Sequence, residues 1–190
     1  MPHENKSFYM VKNAIPAEMS KLIYQYAIFD QIKTGRVGDH QVPTAHGKYA
    51  DPLMESLLLL VQPIIEKTTG LSLYPTYAYY RIYRRGDILK PHYDRPSCEI
   101  SASLCIGHNY ENYEWPLFVD DSKIILEPTD LAIYKGLDSL HWRDEFLGPH
   151  NAVQVQAFLH YVDENGPYQE YKYDGRPAVG FPSSSKRIID

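Results

Sequence analysis

His92 and Asp94 lie two residues apart in the stretch KPHYDRPSCEIS, which runs from Lys90 to Ser101. Side chains alternate between the two faces of a β-strand, so residues i and i+2 share a face. An imidazole and a carboxylate presented together suit a divalent transition metal. An H-x-D pair also occurs at strand ends where no metal binds, so a metal site requires a third ligand from elsewhere in the chain.

His141, far downstream in DLAIYKGLDSLHWRDEF, is the candidate third ligand. A strand-like DLAIY and a turn at Gly136 precede it, which would bring a distant imidazole back across a barrel. Two histidines and one carboxylate form the facial triad of non-haem iron(II) oxygenases, which leaves metal positions open. Three other histidines compete for the role: His108 and His150, both expected in loops, and His160, at the far end of the last predicted strand.

Two helices and a series of short strands are predicted to position these ligands. One helix begins near Pro16, and a second is capped by Asp51 and ends at Gly70. Pro63 lies inside the second helix and is expected to kink or split it, while residues 34–48 are predicted to form a loop. The chain then becomes rich in β-forming residues separated by turn residues, which predicts six or more strands and an α+β fold class.

The composition is typical of a folded protein, since 44% of residues are apolar and 23% are charged. A length of 190 residues suits one domain with its own core, and no repeat or linker divides the sequence. Residues 1–190 are therefore predicted to form a single domain. The tail, residues 165–190, is rich in Gly, Pro, Ser and Tyr and is either a strap across the body or partly disordered.

Charge and cysteine content argue against several classes of protein. A net charge of −5 and a short basic cluster at Arg81, Arg84 and Arg85 do not supply the wide basic surface that nucleic acid binding needs. Cys98 and Cys105 are separated by an odd offset on what is predicted to be one strand, so they should face opposite sides and not pair. The sequence has no signal-peptide pattern and no apolar stretch long enough for a bilayer, so we expect a cytoplasmic protein without a membrane partner.

From about Phe8 to Asp163 the chain resembles the iron(II)/2-oxoglutarate-dependent oxygenases, and within them the prolyl-4-hydroxylase-like branch. YRIYRRGDILKPHYD is similar to the family's order of tyrosine, glycine and H-x-D, and FLHYVDENGP resembles the segment that closes the family's barrel. The resemblance implies a double-stranded β-helix, a cupin-like jelly-roll, supported by N-terminal helices. It also implies that iron(II) is held by His92, Asp94 and His141.

The chemistry that the resemblance implies is hydroxylation of an unactivated C–H bond. The co-substrates would be 2-oxoglutarate and O2, with ascorbate as an optional reductant, and the products would include succinate and carbon dioxide. The substrate would be a prolyl or other amino-acid residue of a peptide, or a small metabolite. The sequence predicts neither which of these it is nor the oligomeric state.

The second carboxylate of 2-oxoglutarate needs a buried cation, because an unpaired carboxylate is costly away from water. The resemblance places the family's usual basic residue at Gln154, which is neutral. Arg143 is the nearest replacement, because it would share a face with His141 in an extended segment, and Gln154 or Gln156 would add a neutral hydrogen bond to the carboxylate. The alternative role of Arg143 is a surface ion pair. Arg81 is the second candidate, and Tyr83 corresponds to a family tyrosine whose hydroxyl faces the co-substrate.

Three other functions stay open at this point. The neutral residue at position 154 would suit a metal-binding jelly-roll that does not turn over 2-oxoglutarate. A cupin-like binding or scaffold protein would need no metal. A zinc hydrolase would use the same two histidines and carboxylate, but no obvious general base accompanies them.

Overall fold

The computed structural model describes residues 7–182. Within them the chain forms two α-helices, α1 (Ala17–Thr34) and α2 (Pro52–Thr69), and two 3₁₀ segments, Pro96–Cys98 and Gln169–Gly175. The strands are β1 (Phe8–Val11), β2 (His46–Tyr49), β3 (Leu73–Arg84), β4 (Leu89–His92), β5 (Ile100–His108), β6 (Leu117–Val119), β7 (Ser122–Ile124), β8 (Leu131–Tyr134), β9 (His141–Arg143) and β10 (Val153–Asp163).

The strands form two antiparallel sheets. The larger has six strands in the order β1-β8-β5-β10-β3-β2, and the smaller has four in the order β4-β9-β6-β7. The long strands β3 and β10 pair along their whole length at the centre of the larger sheet. In the smaller sheet β4 and β9 are neighbours, so the strands that carry the two predicted histidine ligands lie side by side.

The helices cover one face of the larger sheet. Alternate residues of β10, Val155, Ala157 and Leu159, are buried against that helical layer. Burial of one such valine or leucine side chain stabilises the fold by about 1.5–3 kcal/mol. The intervening side chains of β10 face the opposite side, where the candidate site lies. None of the helices within residues 7–182 combines the length and apolar character needed to cross a membrane.

Helix α2 has the predicted ends and is not split at Pro63. The Asp51 side chain accepts hydrogen bonds from the backbone N–H groups of Leu53 and Met54, and Gly70 adopts a left-handed conformation with φ of 75°. The helix nevertheless runs unbroken through Pro63. Pro63 has no N–H group to donate to the carbonyl of Leu59. Leu59 has 49% of its surface exposed, so water can replace the missing hydrogen bond.

Two other sequence predictions need correction. The predicted loop over residues 34–48 contains most of β2, which pairs with the edge of β3. Cys98 and Cys105 do not share a strand, because Cys98 ends a 3₁₀ segment and Cys105 lies on β5. The segment starts at Pro96, which has no N–H group to donate to a neighbouring strand. Both thiols are buried and free, so the prediction that they do not pair is confirmed.

The described part of the C-terminal tail packs as a strap over the body. The guanidinium of Arg176 donates to Glu55 of α2 at 2.5 Å. The carboxylate of Asp174 forms a two-point ion pair with Arg95, at 2.7 and 2.9 Å, and accepts a hydrogen bond from the Tyr49 hydroxyl. The rest of the predicted tail, residues 183–190, lies outside the described residues.

Candidate active site

His92, Asp94 and His141 come together where β4 meets β9. His92 ends β4 and is the register partner of His141 at the start of β9, and their ring centroids are 4.2 Å apart. Asp94 follows just beyond β4, with its Oδ1 atom 3.7 Å from His92 Nε2 and 3.5 Å from His141 Nε2. The three side chains therefore present two nitrogen atoms and one oxygen atom to a common point.

Backbone carbonyl groups fix the orientation of both imidazoles. His92 Nδ1 lies 2.8 Å from the Lys90 carbonyl oxygen, and His141 Nδ1 lies 2.9 Å from that of Ser139. A carbonyl oxygen only accepts, so Nδ1 carries the proton in each neutral ring and Nε2 keeps its lone pair. Metal-binding histidines are commonly held in this way.

The Asp94 carboxylate is held in its ionised form. Burial raises its pKa, but hydrogen bonding and charge from His141 in its protonated form outweigh burial and lower the pKa to about 2; a bound metal would take the place of the proton on Nε2. The Ser101 hydroxyl donates to Asp94 Oδ2 at 2.8 Å, and the Asp94 N–H donates to the Gly136 carbonyl at 2.9 Å. These bonds leave Oδ1 directed at the two histidines.

Gly136 lies so close to the carboxylate that no larger residue fits. An added Cβ atom would overlap with Ser101 Oγ, Asp94 Oδ2 and the carbonyl oxygen of Cys98. We expect Gly136→Ala to weaken iron(II) binding by about 10-fold or more, as loss of a group that orients a metal ligand commonly does. Calorimetric titration of the metal-free protein measures this.

The matched control for this substitution is Gly166→Ala, where an added Cβ meets no atom closer than 3.0 Å. Thermal unfolding of both variants separates a local effect on the metal site from general destabilisation. Unchanged iron(II) affinity in a folded Gly136→Ala protein would contradict the prediction.

Arg143 is a buried cation with unsatisfied donors. It lies two residues after His141 on β9, and 1% of its surface is exposed, so the alternative of a surface ion pair is wrong. Its Nη1 donates to the Trp115 carbonyl at 2.6 Å, but Nε and Nη2 have no hydrogen-bond partner in the described residues. Burial lowers the pKa of Arg143, which means that its surroundings disfavour the charge unless an anion joins it.

Gln154 does not have free hydrogen-bonding groups of this kind. Its side-chain oxygen accepts from the Tyr110 hydroxyl, and its Nε2 donates to Gln156 at 3.0 Å. Gln156 in turn donates to the Ser103 hydroxyl at 2.9 Å. Each polar atom of the Gln154 amide thus has a partner within the protein, so Gln154 differs from Arg143, and its predicted hydrogen bond to the co-substrate stays a prediction.

Arg81, the second candidate cation, already has an anionic partner. Its Nε and Nη2 atoms lie 3.0 and 2.6 Å from Asp39 Oδ2, and its Nη1 donates to the Tyr83 hydroxyl at 2.9 Å. Asp39 belongs to the segment between α1 and β2, and no local sequence pattern indicated that it would reach β3. Tyr83 is fully buried and packs edge-on against Trp115.

A cavity of about 360 Å³ lies in front of the predicted triad, within the usual size range of small-molecule sites. Its walls contain the aromatic residues Tyr77, Tyr79 and Phe158 together with Arg81 and Arg95. His160 also faces the cavity. It does not join the trio of His92, Asp94 and His141, and its Nδ1 instead lies 3.0 Å from the Ser101 hydroxyl.

No family model and no curated protein matches the sequence, but solved structures match the fold. A viral collagen prolyl hydroxylase from Paramecium bursaria Chlorella virus-1, in complex with 2-oxoglutarate, superposes with a TM-score of 0.63 at 10% identity, over 83% of this chain and 96% of that one. The chain shares the fold of 2-oxoglutarate-dependent oxygenases. The resemblance noted in the sequence is therefore confirmed for the fold.

Two further structures show how varied the proteins with this fold are. HygX from Streptomyces hygroscopicus, with nickel and 2-oxoglutarate bound, matches with a TM-score of 0.62 at 10% identity, covering 84% of each chain. The α-ketoglutarate-dependent carbocyclase SnoK from nogalamycin biosynthesis matches with a TM-score of 0.65 at 10% identity, over 83% of this chain and 80% of that one. A common fold thus leaves the reaction to be argued from the site itself.

Proposed function

We propose that the protein is a non-haem iron(II)- and 2-oxoglutarate-dependent dioxygenase that hydroxylates an unactivated C–H bond. The observation that carries the proposal is the combination of the His92, Asp94 and His141 cluster with the unpaired cation Arg143. A 2-oxo acid with a second carboxylate needs both: a metal for its keto-acid end and a buried cation for the other end.

The donor set suits the proposed ion. Cis ligands of an octahedral ion lie about 3 Å apart when each metal–ligand bond is about 2.1 Å, so separations of 3.5 and 3.7 Å from Asp94 to the histidines require only a small contraction. Two neutral imidazoles and one carboxylate on one face leave three metal positions open. When bound, iron(II) with 2-oxoglutarate and O2 supplies the oxidising power for hydroxylation, with ascorbate as an optional reductant.

Arg143 would bind the second carboxylate of 2-oxoglutarate through its free Nε and Nη2 donors. The Trp115 carbonyl fixes the guanidinium from the other side. Tyr83, Trp115 and Phe146 form a buried aromatic cluster near it, which excludes water and strengthens the ion pair. In this proposal Arg143 replaces the basic residue that the resemblance in the sequence led us to expect at the place of Gln154.

The cavity favours a small molecule or a single residue of a peptide as substrate. Aromatic side chains from Tyr79 and Phe158 offer apolar faces to such a substrate. A prolyl residue, another amino-acid residue and a small metabolite all remain within the proposal. We further propose that the two sheets are those of a double-stranded β-helix, the jelly-roll of one domain over residues 1–190.

Anaerobic titration tests this function. Iron(II) and then 2-oxoglutarate are added to the metal-free protein, and the weak visible charge-transfer band of the chelate is recorded. We expect a band in the wild type and none in Asp94→Ala or His141→Ala. The control is Asp138→Ala, an exposed carboxylate in the turn before His141, which should keep the band. No band in the wild type at saturating ligand would instead favour a metal-binding jelly-roll without 2-oxoglutarate turnover.

A further inference from the structure

A second group of metal-binding side chains shares Asp94 with the predicted triad. Asp94, Cys98 and His160 place one ligand atom each within 4.8 Å of one another, and all three line the same cavity. We propose that this group binds zinc(II), and that the bound zinc inhibits the enzyme by competing with iron(II) for Asp94. The inhibition rests on the proposed function, whereas the zinc site itself does not.

The two groups differ in the metal that they should prefer. The predicted iron triad offers nitrogen and oxygen only, while the second group adds the sulfur of Cys98. Thiolate and imidazole together are characteristic zinc ligands, and a site with three protein ligands keeps a fourth position open. In a tetrahedral zinc site the ligand atoms lie about 3.3–3.6 Å apart. The three ligand atoms of the second group lie within 4.8 Å of one another, so they would have to move closer by little more than about 1 Å to reach that spacing.

The fold brings the three residues together from two directions. Cys98 ends the 3₁₀ segment that follows Asp94 directly, and His160 lies on β10 opposite Ser101 of β5. Neither side chain is used by the predicted triad. Both side chains are buried and line the cavity.

Asp94 can serve the two groups through different oxygen atoms. Its Oδ1 atom faces His92 and His141, whereas Oδ2 accepts from the Ser101 hydroxyl at 2.8 Å. That hydroxyl also lies 3.0 Å from His160 Nδ1. The Ser101 hydroxyl thus connects Oδ2 with His160, and Oδ2 is the oxygen that we propose for the second group.

Burial and the charge of Asp94 raise the pKa of the Cys98 thiol, so the thiolate needs a bound cation in order to form. The sulfur lies 3.1 Å from the Tyr77 hydroxyl, which can donate to it. On binding, the S–H bond breaks, the proton passes to solvent and a sulfur–zinc bond forms, so no oxidant or reductant is needed. A zinc ion at Asp94 would withdraw negative charge from the carboxylate that iron(II) requires and would repel a second cation.

Cobalt(II) is the probe for this site, because a thiolate ligand gives it a near-ultraviolet charge-transfer band. We expect the band in the metal-free wild type and also in the His92→Ala/His141→Ala double variant, which lacks the predicted iron triad. Cys98→Ser should lose the band, and His160→Gln should weaken cobalt(II) binding at least tenfold. Cys105→Ser is the matched control, since Cys105 is the other buried free thiol, and it should keep the band. Added zinc(II) should bleach the band in every protein that shows it.

The same variants decide the inhibition. The zinc(II) concentration that halves 2-oxoglutarate consumption should be at least tenfold lower for the wild type than for Cys98→Ser. No thiolate band in the wild type, a band that survives Cys98→Ser, or unchanged cobalt(II) affinity in His160→Gln would each overturn the zinc site. Failure of the iron and 2-oxoglutarate chelate band with an intact cobalt band would overturn the proposed function alone.

Discussion

Replacing Arg143 with methionine should weaken 2-oxoglutarate binding and at the same time stabilise the ligand-free protein. Removing one partner of a buried charge pair costs about 2–5 kcal/mol of binding free energy, so we expect the dissociation constant of 2-oxoglutarate to rise by at least about 30-fold. Without 2-oxoglutarate, two donors of this buried cation have no partner in the described residues. Methionine fills a similar space without that desolvation penalty, which should raise the free energy of unfolding by about 1–3 kcal/mol.

Two measurements on the same preparation check this prediction. Anaerobic titration of the iron(II) protein gives the 2-oxoglutarate affinity, and urea unfolding of the metal-free protein gives the stability. Arg85→Gln is the control, because the Arg85 guanidinium donates to the Gly148 carbonyl outside the site. Unchanged 2-oxoglutarate affinity in Arg143→Met, or a loss of stability like that of an ordinary core truncation, would contradict the role that we assign to Arg143.

Arg176→Met should have the opposite effect on stability, lowering the free energy of unfolding by about 3–5 kcal/mol. The Arg176 and Glu55 side chains are each 1% exposed and lie 2.5 Å apart. Arg176 also donates to the Thr76 carbonyl at 2.9 Å. Removing the guanidinium leaves the Glu55 carboxylate buried in α2 without its counter-charge. An unpaired buried carboxylate destabilises the folded state more than the removal of both charges would.

Urea unfolding measures this loss, and an exposed ion pair supplies the comparison. Lys123 and Glu114 are 3.6 Å apart with more than half of each side chain exposed, so Lys123→Met should change stability by about 1 kcal/mol at most. Adding Glu55→Gln to Arg176→Met should restore part of the loss, because it removes the unpaired charge. A loss below about 1 kcal/mol for Arg176→Met would show that the buried pair contributes little.

The geometry of the candidate site was predictable where it depends on neighbours in the sequence. The H-x-D spacing identifies His92 and Asp94, and strand alternation from His141 leads to Arg143, which the structure places on the same buried strand β9. Resemblance to a known family was needed to choose His141 over the other histidines. His160 shows why, since it too faces the cavity, and spacing alone does not rank it below His141.

What sequence reasoning missed depends on contacts between distant segments. The partner of Arg81 is Asp39, which comes from a loop before β2 and has no motif around it. Ser101 gains its importance from a hydrogen bond to Asp94 across a turn. Cys98 was assigned to a strand because its neighbours are β-formers, but Pro96 ends the ladder there. In each case a tertiary contact or a backbone constraint outweighed local pattern.

The ion pair between Arg95 and Asp174 bears on when the site can be assembled during synthesis. Arg95 follows Asp94 directly, and both of its terminal nitrogens are bound by a carboxylate from the C-terminal strap. As the chain emerges from the ribosome, His92 and Asp94 appear long before His141, and Asp174 appears later still. The loop that carries Asp94, the proposed metal ligand, thus gains its last support only after Asp174 has been translated. If Asp94 binds the metal as we propose, metal loading should follow folding of the domain and not occur on the nascent chain.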